Sequence, residues 1–188
     1  MGEDKRLTDY FTSASGTVGF WFFSLLWGLL CSLPHTLGST SSASGTPFTT
    51  LVGLGVYSVG LIIETTADYQ KWIFKTQNPA TFCNARLWSI SQHPNWFGNL
   101  LIWFGIFILN APALIETVPV EGTLWDTIWG FRRLVLACLS PAFMSYLFNG
   151  QADGSLTTTV ELAKGKYTGD PDYIQYVETA NKIISKLF

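Results

Sequence analysis

The chain has 188 residues, of which 48% are hydrophobic, 15% aromatic and only 13% charged. That charged share is about half of what an ordinary soluble domain carries, and with a mean hydropathy of +0.27 it argues against both disorder and a water-soluble surface. The net charge of −2, with scattered basic residues, removes the electrostatic case for nucleic acid, and three distant cysteines with two histidines supply neither a disulfide framework nor a metal site.

The opening MGEDKRLTDY is mixed in charge and leads into no secretory cleavage pattern. Four membrane helices are expected at about 18–37, 48–75, 96–115 and 131–148, the second apolar only through Ile63 and the fourth from Leu134. The first and third approach the roughly 20 residues that cross a bilayer, and the other two need tilt or interfacial flanks. A Ser/Thr/Gly-rich loop near 38–50 joins the first two. After Asn149 the chain turns polar: a short helix near 157–164, a Thr-Gly-Asp-Pro turn at 168–171, and an amphipathic helix from Pro171. The expected fold is all-α: a polytopic membrane helix bundle in one domain, 1–188, with about four transmembrane helices and a cytosolic C-terminal amphipathic tail, 150–188. Lys5, Arg6, Lys71, Lys75, Arg86, Lys164, Lys166, Lys182 and Lys186 fall on one side of such a bundle, and Glu116, Glu121 and Asp126 on the other. Basic residues mark the cytosolic side, which puts both termini there. Arg132 and Arg133 run against this assignment.

Three stretches carry groups capable of chemistry. Glu64, Asp68, Lys71 and Lys75 are spaced four, three and four, so a helix presents them as one stripe that prolongs the second apolar segment past the membrane surface. A solvated face with Glu–Lys pairs explains the stripe as well as a polar wall does, in which carboxylates hold hydroxyls and lysines hold phosphate. Ser91, Gln92, His93 and Asn95 lie at the start of the third apolar segment, with Pro94 suited to the first helical position. A helix N-terminus favours anions, and His93 can contact phosphate. Asn99 and Trp103 share the face of Asn95. The plain alternative is a capped helix start with aromatic anchors. In the tail, Glu161, Lys166, Tyr167, Asp170, Tyr173 and Tyr176 suit either a ligand wall or packing onto the bundle.

In order, these stretches read Glu64-Thr-Thr-Ala67-Asp68-Tyr-Gln70-Lys71, Leu87-Trp88, Gln92-His93-Pro94-Asn95-Trp96-Phe97-Gly98-Asn99, and Glu161…Lys166-Tyr167…Tyr173-Ile-Gln-Tyr176. The pattern resembles the C-terminal portion of the steroid 5-alpha-reductase-like membrane proteins, in particular the DUF1295 branch, over roughly residues 20–180. The resemblance implies an all-helical membrane fold with NADPH in a cavity open to the cytosol. It implies reduction of a carbon–carbon double bond conjugated to a ketone in a steroid or other lipid. It also implies cofactor positions at Asp68 and Lys75, an Asn95–Trp103 face against the nicotinamide, and a cofactor-proximal Tyr176. Lys71 and His93 join these as phosphate-facing candidates from the stripe and the helix start.

The sequence departs from that pattern at Gln92, where the motif has arginine, and at Asn99, where it has glutamate. The family's additional N-terminal helices, with the groups that polarise a substrate carbonyl, are not in this chain, so no catalytic residue is assigned. Two other functions fit parts of the sequence. One is an S-adenosylmethionine-dependent isoprenylcysteine or phospholipid-type methyltransferase, which shares the helix-start and tail motifs. The other is a non-catalytic accessory subunit of a larger membrane complex. Membrane lipids are expected partners, other membrane subunits are possible ones, and the endoplasmic reticulum is the expected location.

Overall fold

A computed structural model of the chain describes residues 11–41, 46–115, 121–154 and 159–183. Lys5, Arg6, Glu116 and Lys186, used above for sidedness, lie outside the described residues, as does the side chain of Glu161. The described residues are mostly helical, with no strand; one isolated bridge joins Ser91 to Asn181.

Four helical runs are long and apolar enough to cross a membrane: Ala14–Ser39, Pro47–Gln77, Pro94–Leu114 and Leu124–Asp153. The first, α1 (Ala14–Ser39), starts where the Ser13 hydroxyl accepts from the Gly16 N–H at 3.1 Å. The second, α2 (Pro47–Gln77), starts with Pro47 behind a Thr46 cap. It runs well past its apolar stretch, because no Gly or Pro interrupts Glu64 to Lys75 and its polar groups share one face. A short turn of helix, α3 (Leu87–Ile90), precedes α4 (Pro94–Asn110), which ends in a 3-10 turn at Ala111–Leu114. The fourth run begins earlier than the sequence suggests, at a Thr123–Asp126 capping box, and is interrupted. It divides into α5 (Leu124–Gly130), α6 (Arg132–Ala137) and α7 (Leu139–Asp153). Gly130 and the Arg132 side chain, which takes the Trp129 carbonyl at 2.8 Å, mark the first break. Pro141 accounts for the second, because its ring crowds the carbonyl four residues back, at Ala137. The tail holds α8 (Thr159–Tyr167) and α9 (Pro171–Thr179). The Thr-Gly-Asp-Pro turn forms as expected, with Asp170 Oδ1 accepting from the Asp172 and Tyr173 N–H groups at 3.0 and 3.3 Å.

One interface dominates the packing: α2 lies antiparallel along α4. The seam is made of small residues seven apart, Gly53, Gly60 and Ala67 on α2 and Gly98 and Gly105 on α4, all buried. A period of seven is close to two helical turns, so the small residues stay on one face. A Cβ at Gly60 would lie 2.6 Å from the Gly98 carbonyl oxygen, and one at Gly98 would lie 2.5 Å from the Glu64 nitrogen. Only glycine permits this approach. On its other side α4 meets α1 and α7 around Cys31, Leu100, Met144 and Phe148. The arrangement brings the C-terminal end of α2, the N-terminal end of α4 and the tail to the same end of the bundle.

Candidate functional site

At that end the close approach of α2 and α4 sets two hydrogen-bonded rungs. Asn95 Nδ2 donates to Asp68 Oδ1 at 3.0 Å, and Asn99 Nδ2 donates to Glu64 Oε1 at 2.9 Å. The Trp103 indole N–H donates to Asn99 Oδ1 at 3.0 Å, one turn deeper, while its ring packs into the core shared with α1 and α7. Asn95 Oδ1 is buried and has no partner. Leaving such an acceptor unsatisfied costs on the order of 1–3 kcal/mol.

Beyond the last rung, α2 outruns the start of α4, and a cavity of about 580 Å³ opens among α2, the 78–93 segment and the tail. From α2 it receives Lys71 and Lys75, and from α8 Lys166 and Tyr167. Phe82, Cys83, Trp88, Gln92 and His93 form its floor, and Tyr173, Tyr176 and Val177 of α9 form a wall. Among the described residues no carboxylate lines it. The Lys71 ammonium lies 4.3 Å from the centre of the buried Trp88 ring, a cation–π contact. Trp88 is fixed by its N–H on the Ala67 carbonyl at 2.8 Å. The Lys75 ammonium donates to the Thr81 carbonyl and, at 2.8 Å, to the Tyr167 hydroxyl. The Lys166 ammonium lies 5.3 Å from the centre of the same phenol ring.

Protonation follows from these surroundings. Burial, reinforced by the Lys71 charge, lowers the His93 pKa to about 4, so at neutral pH it is an uncharged ring stacked on Trp96 with centroids 3.8 Å apart. Burial pushes the Tyr176 phenol up, helped by Cys83 and Tyr173, and its hydroxyl donates to the Trp88 carbonyl at 2.7 Å. Tyr173 is also raised by burial. At Tyr167 burial acts upward, but the hydrogen bonds and charges of Lys75 and Lys166 outweigh it and hold the phenol below its usual value.

The stripe expected from the sequence therefore divides. Lys71, Lys75, His93 and Tyr176 line the cavity, whereas Asp68, Asn95 and Trp103 are absent from its lining and belong to the neighbouring rungs. Gln92, at the motif's arginine position, donates through Nε2 to the Val177 and Ala180 carbonyls at 3.0 and 2.9 Å, satisfying the end of α9. Phe82 and Cys83 were not signalled by the sequence. They come from the irregular 78–86 segment, where an aromatic in a polar connection was the one available hint.

The family model described as "Protein of unknown function (DUF1295)" matches residues 1–180. The chain belongs to the DUF1295 family. No curated protein and no solved structure matches it. Among the described residues no cluster of His, Cys, Asp and Glu could hold a metal ion.

Proposed function

We propose that this DUF1295 chain binds NADPH in the cavity and is a reductase-like membrane protein acting on a C=C bond conjugated to a ketone, in a steroid or other lipid. The observation that carries this reading is the convergence of Lys71, Lys75 and Lys166 on an aromatic-lined cavity that, among the described residues, no carboxylate lines. Gathering three ammonium groups is unfavourable unless a polyanion joins them. The volume lies within the roughly 300–1,000 Å³ typical of cofactor sites. The donor set fits the dinucleotide. The three lysines suit its phosphates, and Phe82 and Tyr173 offer ring faces for a base. When bound, NADPH supplies a hydride; this chain's residues hold and orient it at the edge of the apolar bundle. The endoplasmic reticulum and a cytosol-facing mouth belong to the same reading.

The test is titration of the purified chain with NADPH and, separately, with S-adenosylmethionine. Saturable binding of NADPH alone is the expected result. S-adenosylmethionine carries a sulfonium cation, which the lysines disfavour, so binding of that ligand alone would replace the reading with the methyltransferase. A second reading has its own observation. Only 6% of the best spanning window of α1 and 11% of that of α2 are buried. An accessory subunit would use such faces against partner helices, would bind neither ligand, and would co-purify stoichiometrically with a complex.

A further inference from the structure

Another cavity, of about 330 Å³, lies toward the opposite end of the bundle and is lined by Trp125, Asp126 and Trp129. Helix α5 makes these residues neighbours. Trp129 comes four residues after Trp125 and three after Asp126, and residues so spaced share a helix face. Both indoles are largely exposed, Trp125 at 74% and Trp129 at 64%. The exposed Asp126 carboxylate is held in place: its Oδ2 accepts from the Thr123 N–H at 2.8 Å and from the Thr123 hydroxyl at 2.7 Å. That leaves Oδ1 outside the capping box. One ring already carries a cation. The Arg132 guanidinium lies 5.0 Å from the centre of the Trp129 ring, with Nη1 on the Trp129 carbonyl at 2.8 Å.

Tryptophans at the start of a spanning helix anchor it at headgroup level, and Asp126 caps α5. Neither duty requires the other, since an anchor needs no carboxylate and a cap needs no indole. A carboxylate beside two electron-rich ring faces is instead the chemistry that holds a cation whose charge is spread over methyl groups. A guanidinium next to them offers donors to an anion. The charges thus match a zwitterion, positive toward the indoles and negative toward the arginine. We propose that Trp125, Asp126 and Trp129 hold the phosphocholine headgroup of a membrane phospholipid, its quaternary ammonium against the indoles and the carboxylate and its phosphate toward Arg132. Exposed Ile128, Val135 and Leu139 continue the run into the membrane and give the acyl chains an apolar surface. The primary ammonium of phosphatidylethanolamine is compact and strongly hydrated, so ring faces hold it less well. Phosphatidylglycerol has no cation and is repelled by Asp126. The site is independent of the lysine-lined cavity and of NADPH.

The experiment titrates the full chain, purified in one detergent, with dioleoyl phosphatidylcholine, phosphatidylethanolamine and phosphatidylglycerol, which differ only in headgroup. Bound lipid is read by native mass spectrometry. Wild type should bind phosphatidylcholine roughly tenfold more tightly than either of the others. The double variant Trp125→Leu/Trp129→Leu keeps apolar bulk without the indole faces and should lose the preference, while Trp125→Phe/Trp129→Phe should keep part of it. Asp126→Asn should narrow the gap between phosphatidylcholine and phosphatidylglycerol. Trp21→Leu, at an exposed indole of α1, should keep the full preference. Thermal unfolding midpoints check each variant, and the phenylalanine pair carries the comparison should the leucine pair fail to fold. Equal affinity of wild type for the three lipids would overturn the proposal. So would a preference that survives in the folded leucine pair, or one that disappears in Trp21→Leu. Phosphocholine without acyl chains binding as tightly as the lipid would overturn a membrane phospholipid as the occupant.

Discussion

His93 and Asn95 flank Pro94, yet their surroundings give them opposite behaviour. His93 is held neutral, with a pKa near 4 against an ordinary 6.5. Above about pH 6.5 neither the folded nor the unfolded ring binds a proton, so the group leaves stability untouched. Below that the unfolded ring protonates and the folded one does not, and stability falls until about pH 4. The loss is about 1.4 kcal/mol per pH unit, on the order of 3 kcal/mol in all. Comparison of unfolding midpoints for wild type and His93→Phe, which keeps a ring on Trp96, should show a shallower decline in the variant between about pH 7 and about pH 5. Parallel declines would mean that the histidine is not the titrating group. Asn95 is instead defined by an acceptor without a donor. Because Asn95 is held in the rung to Asp68 and does not line the cavity, Asn95→Ala should lower stability by on the order of 1–3 kcal/mol and leave the NADPH Kd, read by titration, nearly unchanged. Because the same change frees Asp68, its unfolding midpoint must be measured alongside. A Kd weakened tenfold or more in a folded variant would instead bring Asn95 into the site.

At the scale of helices, the seam between α2 and α4 is what places the rungs. Gly60→Ala and Gly98→Ala each put a methyl group against backbone at 2.5–2.6 Å, with no flexible side-chain end to yield. Overpacking of this kind costs about 1–3 kcal/mol, and moving the helices apart should also lengthen the Asn95–Asp68 and Asn99–Glu64 bonds. Gly55→Ala is the control, because nothing lies within 4 Å of its missing Cβ. It should be neutral or stabilising by up to about 1 kcal/mol. Thermal unfolding in one detergent separates the pairs, and equal effects at Gly55 and Gly60 would refute the seam. The sequence shows this layer unevenly. Four apolar runs are legible because bilayer-scale hydrophobicity needs only a count of residues. Their ends shift because caps at Ser13 and Thr123 and the breaks near Gly130 and Pro141 are local chemistry that a run of apolar residues hides. The polar stripe is legible as a face. Its division is not, because that depends on where the partner helix begins. Glu64 and Asp68 lie opposite α4, whereas Lys71 and Lys75 project beyond it into space that the tail encloses. Phe82 and Cys83 reach the cavity through an irregular segment with no periodicity to read.

For the whole molecule, the distribution of charge decides which compartment the cavity faces. Among the described residues, Lys71, Lys75, Arg86, Lys164, Lys166 and Lys182 belong to the cavity end. The connection at the other end carries Glu121, followed by Asp126 at the start of α5. Arg132 and Arg133 follow α5 and oppose the trend, but Arg132 is engaged locally, on the Trp129 carbonyl and 5.0 Å from the centre of its ring. An arginine held on an interfacial tryptophan weighs less in orientation than lysines at a polar mouth. The cavity should therefore open to the cytosol, the compartment from which a soluble dinucleotide would reach it. Asp172 and Glu121 are both exposed, at opposite ends. In a Cys138→Ser background, which removes the exposed native thiol, a membrane-impermeant reagent should label Asp172→Cys only from the cytosolic face and Glu121→Cys only from the other. Labelling of both from one face would contradict the four crossings. Labelling of each from the reverse face would leave the bundle intact but turn its lysine-lined mouth away from cytosolic NADPH, and the proposed function would go with it.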